Sequence, residues 1–374
     1  HAVRDRGAAL QAEWENSFNN WAQKNPDKKS LLDRLQKREL PSDWTAEIPV
    51  FEVGKEIATR KASSDVLNAL AKKLPEMYGG SADLGESNLT IIEGAQSFLP
   101  PTTKMDNASP HGRIIHFGIR EFAMGAALNG MTLSGLTRPF GGTFLVFSDF
   151  MRGAVRLAAL MKLPVTYVWT HDSIGVGEDG PTHQPVEHLW ALRAIPGLDV
   201  VRPADANETA AVWQIVTENN RPAGLILSRQ NLPVIDSDKT RDTSVVRHGA
   251  YVIKEASGNL QAIIIATGSE VSIALAAAET LESQGISTRV VSAPCLEWFD
   301  EQSAAYRDSV LPPNVTARVS IEAGISQGWY KYVGSNGTCI SLEHFGASAS
   351  GNKLYEEFGL TASAVVNKVK ELVK

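Results

Sequence analysis

Apolar positions in this chain first recur at helical spacing, then switch to short apolar runs separated by helical stretches. Residues 4 to 24 carry Leu10, Trp14, Phe18 and Trp21 at every third or fourth position among charged neighbours, the period of an amphipathic helix. Breakers at Asn25-Pro26-Asp27 and Leu40-Pro41-Ser42-Asp43 make the first 46 residues a helical connector. From about Val50, strands alternate with helices. The pattern predicts a helix over 52–74, a strand over 77–80, and a strand over 113–117 feeding a helix over 119–134. An apolar stretch over 140–146, a helix over 148–162 and a strand over 164–170 come next. A helix over 185–195, a strand over 198–202, a helix over 207–219 and a strand over 223–227 complete the set. Asp205 and Glu208 stand at capping-box spacing and mark the start of the last of these helices.

The polar stretch from Ile235 to Ser244 offers almost nothing to bury and reads as a domain boundary. Beyond it the pattern predicts strands over 261–266, 287–292 and 316–321, with helices over 270–284, 301–310 and 362–373. The result is an α/β chain of two doubly wound domains with mostly parallel sheets. Its divisions are a connector over 1–46, a first α/β domain over 47–234 and a smaller α/β domain over 245–374.

Composition narrows the function. No run of 18 apolar residues occurs, so no membrane span is expected. The 36 Lys and Arg against 42 Asp and Glu give a net charge of -6, which excludes a general nucleic-acid binder. A local cluster of Arg and His could still hold a phosphate. Cys295 and Cys339 are too few for a disulfide framework or a thiolate metal site, and a reducing, cytoplasmic setting is expected. The chain opens at His1 and enters its first helix without a capping residue, so a cut or processed half-chain is expected.

Chemistry concentrates in Thr170-His-Asp-Ser-Ile-Gly-Val-Gly-Glu-Asp-Gly-Pro-Thr-His-Gln-Pro185. This stretch follows an apolar strand, at the carboxyl end where open α/β sheets bind ligands. Gly175, Gly177 and Gly180 spell G-x-G-x-x-G, and Asp199 lies about 20 residues on. The context speaks against a dinucleotide site. Polar residues separate strand from glycines, Glu178 and Asp179 would repel a pyrophosphate, and the prolines delay the helix. A flexible glycine loop is the plain alternative, but it leaves His171, Asp179 and His183 unexplained. Two imidazoles and a carboxylate on one such loop suit substrate handling.

Glu121 is expected about two residues into a helix rich in Ala, Gly and Met, facing a confined apolar space. Burial there raises a carboxyl pKa and the helix N-terminus lowers it; simple compensation of the helix dipole is the alternative role. Phe144, Phe147 and Phe150, spaced by three, form either a core stripe or a pocket for a flat heterocycle. Arg60, Ser87 and Arg229 at element ends could cradle one phosphate, although a lone Arg is commonly a solvated charge. Thr267-Gly-Ser-Glu270 reads as a plain βα turn or an anion-binding helix start. There is no H-E-x-x-H, C-x-x-C, Walker lysine loop or G-x-S-x-G elbow, and no metal ligand is expected on this chain.

Taken together, these blocks resemble transketolase. The run from His171 to Gln184 is similar to that family's own loop. So are Thr59-Arg-Lys-Ala-Ser63, Gly80-Ser-Ala-Asp-Leu84, Phe117-Gly-Ile-Arg-Glu121 and Leu227-Ser-Arg-Gln-Asn231, and the similarity runs from the connector to the last helix. The resemblance implies transfer of a two-carbon ketol unit from a ketose phosphate to an aldose phosphate, a reaction of the pentose phosphate pathway. The implied cofactor is thiamine diphosphate with Mg2+ or Ca2+. Glu121 matches the glutamate that hydrogen-bonds the pyrimidine ring of the cofactor and shares its proton. Phe144, Phe147 and Phe150 match the aromatic pyrimidine pocket, with Phe147 as the stacking partner. Leu84 and Ile119 look like apolar supports of the bent cofactor. Arg60, Ser87, His171 and Arg229 resemble the phosphate-binding set. Asp179 looks like the reader of a donor hydroxyl, and His183 like the partner of the donor's carbonyl or terminal hydroxyl, so Glu121 and His183 are the expected catalytic groups.

The departure from the family is the Gly-Asp-Gly…Asn motif that holds the diphosphate and its metal. These 374 residues do not carry it, and Glu178-Asp179-Gly180 is no substitute. The resemblance therefore implies a homodimer with a site shared between subunits, a missing diphosphate-binding domain that holds the metal, and a chain inactive by itself. The alternative is a non-catalytic dimerising or ligand-binding relative. Intact Glu121, His171, Asp179 and His183 argue against it.

Overall fold

The computed structural model describes residues 1–373. It opens with α1 (Ala2–Lys24) and α2 (Pro26–Gln36), neither of which buries a residue. Asn25 separates them, and Pro26 begins α2 where its missing N–H leaves no bond unmade. The predicted aromatic face of α1 is present: Trp14 stacks on Phe18 at 5.0 Å and Phe18 on Trp21 at 5.6 Å. Arg34 ties α2 to the rest through a bidentate pair with buried Glu76 at 2.8 and 2.9 Å.

The first sheet follows the predicted alternation. In chain order the elements are β1 (Glu56–Ala58), α3 (Thr59–Lys73), β2 (Met77–Ser81), α4 (Gly85–Asn88), β3 (Ser97–Phe98), β4 (Ala108–Ser109) and β5 (Ile114–His116). Then come α5 (Glu121–Leu133), β6 (Arg138–Phe144), α6 (Ser148–Met161), β7 (Thr166–Thr170) and α7 (His188–Arg193). The set ends with β8 (Asp199–Val201), α8 (Ala206–Glu218), β9 (Ala223–Leu227) and β10 (Asn231–Pro233). Eight strands form a parallel sheet in the order β4-β3-β5-β2-β6-β7-β9-β8, while β1 and β10 pair antiparallel in a separate ribbon. From β2 the chain first builds toward β5 on one side, then returns to lay β6 on the other. This switch opens a crevice at the carboxyl ends of β2 and β6, where such sheets bind ligands.

The second sheet is mixed. α9 (Thr243–Val246) leads to β11 (Tyr251–Lys254), β12 (Ala262–Ala266), α10 (Glu270–Ser283) and β13 (Thr288–Ser292). They are followed by α11 (Leu296–Asp300), α12 (Ala304–Val310), β14 (Arg318–Ile321), α13 (Tyr330–Val333), β15 (Thr338–Ile340), α14 (Gly351–Glu357) and α15 (Ala362–Leu372). The strand order is β11-β13-β12-β14-β15, parallel except for antiparallel β11 at one edge. No helix among the described residues is long and apolar enough to cross a membrane.

Several predicted elements are corrected. The helix predicted over 52–74 starts only at Thr59, because residues 56–58 extend to pair with β10. The helix over 185–195 shortens to α7, since its proline-rich entry winds as a turn. The helix over 301–310 begins only at Ala304, as α12, where Ser303 caps Tyr306 N–H at 3.2 Å, and the separate helix α11 just before it is not predicted by the pattern. Glu121 is the first residue of α5, not one inside it. The polar stretch from Ile235 also packs, burying Thr240 and Val246 against its surroundings. At α8 half of the predicted capping box is present: Asp205 Oδ1 accepts from Glu208 N–H at 2.7 Å, while the Glu208 carboxylate accepts from Ala204 N–H instead of Asp205 N–H.

A buried charge cluster joins the two sheets. Arg202 donates to Asp172 Oδ2 at 2.7 and 3.1 Å, to Thr267 O and Ser269 Oγ at 3.0 Å, and pairs with Glu270. Arg193 forms a fork with Glu322 at 2.8 and 2.9 Å, and Thr267 Oγ1 donates to the same carboxylate. Tyr355 Oη donates to Glu270 Oε1 at 2.6 Å. Asp172 follows His171 directly, so the second sheet holds a loop that reaches the crevice.

Candidate active site

The crevice gathers residues from five strand ends. Leu84 and Ser87 follow β2, Ile119 and Glu121 follow β5, and the Phe stripe follows β6. His171, Asp179 and His183 follow β7, Arg229 follows β9, and Arg60 opens α3. The strands can lie this close because β2 carries glycines: a Cβ on Gly80 would sit 2.1 Å from Ile115 O. Beneath, α5 and α6 pack tightly, a Cβ on Gly125 falling 2.8 Å from Ala154 Cβ.

At the end of β7, His171 leaves the strand with φ 63°, a left-handed conformation that turns its ring onto Phe144 at a centroid distance of 3.6 Å. Thr170 Oγ1 lies 2.8 Å from His171 Nδ1. Burial, then the nearby Arg60, Arg229 and His183, push the His171 imidazole down to about 3. Four of the predicted substrate residues therefore share one electrostatic neighbourhood. Arg60 Nη1 donates to Ser87 O at 2.6 Å, and burial and the charge of Arg229 lower the Arg60 guanidinium. Ser87 thus contributes its backbone carbonyl to this neighbourhood. Arg229 is exposed and makes no hydrogen bond or ion pair with a described residue.

The Phe stripe is not core. Phe144 is buried, but Phe147 is half-buried and Phe150 is 65% exposed. Their rings stack in series at 5.7 and 5.9 Å, with His183 edge-on to Phe144 at 5.9 Å and to Phe147 at 5.6 Å. An aromatic surface therefore runs from His171 past His183 toward solvent. Leu84 and Ser87 line a cavity of about 370 Å³ with Ser81, His116 and Gly118, and Ile119 stands 79% exposed beside it. Glu121 is buried at the first position of α5, and no described residue gives its carboxylate a hydrogen bond or an ion pair. Asp179 lies on an exposed turn closed by the Gly180 N–H to Gly177 O bond at 3.0 Å. The glycines of this loop form a short 3-10 turn at Ile174–Val176 and open no helix, which removes the dinucleotide reading.

Asp149, Glu187 and His188 bring three candidate metal-ligating atoms within 4.8 Å of one another. The two carboxylates flank opposite ring nitrogens, Asp149 at 3.1 Å from Nε2 and Glu187 at 3.7 Å from Nδ1. The sequence pattern gave no role to buried Asn88 and Arg202, nor to buried Thr170 and Asp172, although those two lie in the stretch where its chemistry concentrates. Their only signal was polarity at positions flanking strand ends, where solvated turns are equally polar.

The state of His171 gives a stability prediction. A group whose folded pKa lies below its ordinary value of 6.5 binds fewer protons folded, so stability is lost as pH falls from 6.5 toward about 3. Between about pH 7 and about pH 5 the loss specific to His171 is about 2 kcal/mol. His171→Asn cannot titrate and lacks that component. Urea unfolding of both chains at the two pH values measures the difference, and equal pH slopes would refute the burial argument.

The chain matches two family models: "Transketolase, pyrimidine binding domain" over residues 55–234 and "Transketolase-like TK C-terminal domain" over residues 249–361. A transketolase of Mycobacterium tuberculosis is 54% identical over 371 residues, covering 96% of this chain and 53% of that protein. A transketolase from Pichia stipitis, solved in complex with sedoheptulose-7-phosphate, superposes with a TM-score of 0.92 at 41% identity, covering 98% of this chain and 53% of that one. A split-gene transketolase, solved as an inactive β4 tetramer, superposes with a TM-score of 0.67 at 26% identity, covering 85% of this chain and 98% of that one. The chain therefore spans about half the length of the full-length relatives it matches. With matches to both family models and about half its residues identical to those of a named member, the chain belongs to the transketolase family.

Proposed function

We propose that this chain carries the pyrimidine side and the sugar-phosphate side of a ketol-transfer site. The observation that supports it most is the convergence of Arg60, Arg229, His171 and His183 on one end of an exposed aromatic surface. Two guanidinium groups and an imidazole suit the phosphate of a sugar. Arg229, which makes no hydrogen bond or ion pair with a described residue, can move onto that phosphate without breaking one. In this reading His183, at the aromatic surface, would hold or pass a proton at the donor's carbonyl or terminal hydroxyl, and exposed Asp179 would read an adjacent hydroxyl. The likeness to the Pichia enzyme solved with a sugar phosphate supports this substrate class.

The residues also fit thiamine diphosphate. Glu121 belongs to the buried residues and its carboxylate has no partner among the described residues, and Phe147 and Phe150 offer ring faces. Glu121 would meet a pyrimidine nitrogen, Phe147 would stack on its ring, and Leu84 and Ile119 would support the bent molecule. Bound there, the cofactor supplies the electron sink that transfer of a two-carbon ketol unit requires. Its diphosphate and the accompanying Mg2+ or Ca2+ are assigned to a separate domain, so these 374 residues alone are expected to be inactive. The inactive β4 tetramer of the split-gene relative, which this chain matches over nearly all of that protein, supports this. The test is a ketol-transfer assay of the chain alone and mixed with a transketolase diphosphate-binding domain, thiamine diphosphate and Mg2+. No transfer alone and transfer on mixing is the expected result. No transfer in any combination would favour a non-catalytic ligand-binding role.

The site is further proposed to lie at a homodimer interface. Phe122 of α5 and Phe150, Leu157 and Leu160 of α6 are 56%, 65%, 47% and 68% exposed. Positions 150, 153, 157 and 160 share one face of α6, and Phe122 lies against Gly153, so the four side chains form one apolar surface. Leu160→Asp should convert a dimer to a monomer in sedimentation velocity while leaving the circular dichroism spectrum unchanged. An unshifted sedimentation coefficient would place the contact elsewhere.

A further inference from the structure

We propose that Asn88, acting through Thr170, fixes the ring tautomer of His171, so that its Nε2–H is the hydrogen-bond donor to a bound phosphate. The proposal rests on the reading of His171 as a phosphate ligand and adds what sets its proton. Three side chains form a continuous buried relay. Ser81 Oγ stands within donating distance of both Asn88 Oδ1 at 2.7 Å and Gly142 O at 2.9 Å, sharing its one hydrogen between them, and Asn88 Nδ2 donates to Thr170 Oγ1 at 2.6 Å. Thr170 Oγ1 in turn lies 2.8 Å from His171 Nδ1. Asn88 and Thr170 are fully buried and His171 is 3% exposed, so water does not compete for these bonds.

Proton counting gives the direction. A hydroxyl owns one hydrogen and accepts on its lone pairs. Thr170 accepts from the Asn88 amide, which leaves its own hydrogen for His171 Nδ1. A neutral imidazole that accepts at Nδ1 carries its proton on Nε2. Burial, Arg60, Arg229 and His183 keep the ring neutral, with Phe144 covering one face. A second proton at Nδ1 would also meet the hydrogen of Thr170. His171 therefore contributes direction rather than charge: the two guanidinium groups supply attraction, and a neutral N–H adds a hydrogen bond without repelling them.

The relay is rigid. Thr170 is the last residue of β7, paired with Phe144 of β6 and Leu227 of β9. Asn88 ends α4, and Ser81, which ends β2, also accepts the Leu84 N–H at 3.2 Å. Asn88 is thus a positioning residue. It touches Thr170, and through it sets which atom of His171 carries a proton.

The test is nitrogen NMR on the chain with 15N-labelled histidine rings, the His171 signals being assigned by their loss in His171→Asn. Expected are an Nδ1 resonance in the unprotonated range and an Nε2 resonance in the protonated range, both steady across about pH 6 to 8. An Nδ1–H tautomer, or an averaged pair, in the wild-type chain would overturn the proposal. In Asn88→Asp the carboxylate only accepts, so Thr170 must donate to it and receive from Nδ1, and the proton moves to Nδ1. An unchanged tautomer in that variant would also overturn the proposal. Should it not fold, Thr170→Val removes the relay at nearly constant volume and should average the two resonances, while Thr170→Ser should restore the wild-type pattern; a wild-type pattern in Thr170→Val would equally overturn the relay. Titration with inorganic phosphate separates the relay from the functional reading. A shifted Nε2–H signal supports both, whereas an Nε2–H tautomer indifferent to phosphate upholds the relay and overturns the phosphate role.

Discussion

Arg202→Met should destabilise the folded chain by about 3–5 kcal/mol, the scale on which a buried ion pair fails when one partner is removed. Arg202 is fully buried, and so are the two carboxylates it pairs with, Asp172 and Glu270. Met replaces the stem of the side chain well, so lost packing is the smaller component. The larger one is the pair of acids left in low dielectric without their shared cation; burial and the charge of Glu270 already raise the Asp172 carboxyl. Arg193 does not compensate, because its fork is committed to Glu322. The variant should therefore regain stability when the acids are neutralised, either by lowering the pH or by adding Asp172→Asn and Glu270→Gln. Urea unfolding of the single and triple variants checks this. A loss below about 1 kcal/mol, or no recovery in the triple variant, would show that the cluster is solvated or replaceable. Because Asp172 and Arg202 belong to the first sheet's segment and Glu270, Thr267 and Tyr355 to the second, the same variant should also loosen the join between them. His171, next to Asp172, would move with it.

The sequence showed most of the architecture because the signals that define it are local. Apolar runs such as Ala262–Ala266 and helix periods such as Glu270–Ser283 are written in consecutive residues. The candidate residues were legible for a different reason: they cluster after strands, where a polar run interrupts apolar texture. What stayed hidden depends on distant partners. Residues 56–58 become a strand only because Asn231–Pro233 lies alongside, and Tyr251–Lys254 only because Thr288–Ser292 does. Polar Asn88 and Arg202 gave no sign of lying in the interior, since their hydrogen-bond partners include Thr170, 82 residues from Asn88, and Glu270, 68 residues from Arg202. Whether the Phe stripe was core or pocket was likewise decided by the fold. The spacing of three could not say that Phe150 stands in solvent while Phe144 lies under His171.

Glu121→Ala in the assembled enzyme should reduce ketol transfer by about 10²–10⁴-fold, the usual contribution of a positioned proton-sharing group. Two roles compete for this residue. As the first residue of α5, Glu121 could simply answer the positive end of the helix, worth about 0.3–1 kcal/mol. In that case Ala would lower the melting temperature slightly and spare turnover. The other role is favoured because no described residue gives this carboxylate a hydrogen bond or an ion pair, which leaves it open to a ligand. With no hydrogen bond or ion pair to a described residue to lose, Glu121→Ala should leave the melting temperature nearly unchanged. Glu121→Gln sharpens the comparison. It keeps the shape and a hydrogen bond but cannot share a proton, so its turnover should fall nearly as far as that of the Ala variant. Sugar-phosphate affinity should survive in both, since Arg60, Arg229 and His171 form a separate group. Wild-type turnover in Glu121→Gln, or a loss of turnover that tracks a loss of stability, would reduce Glu121 to a helix-end charge.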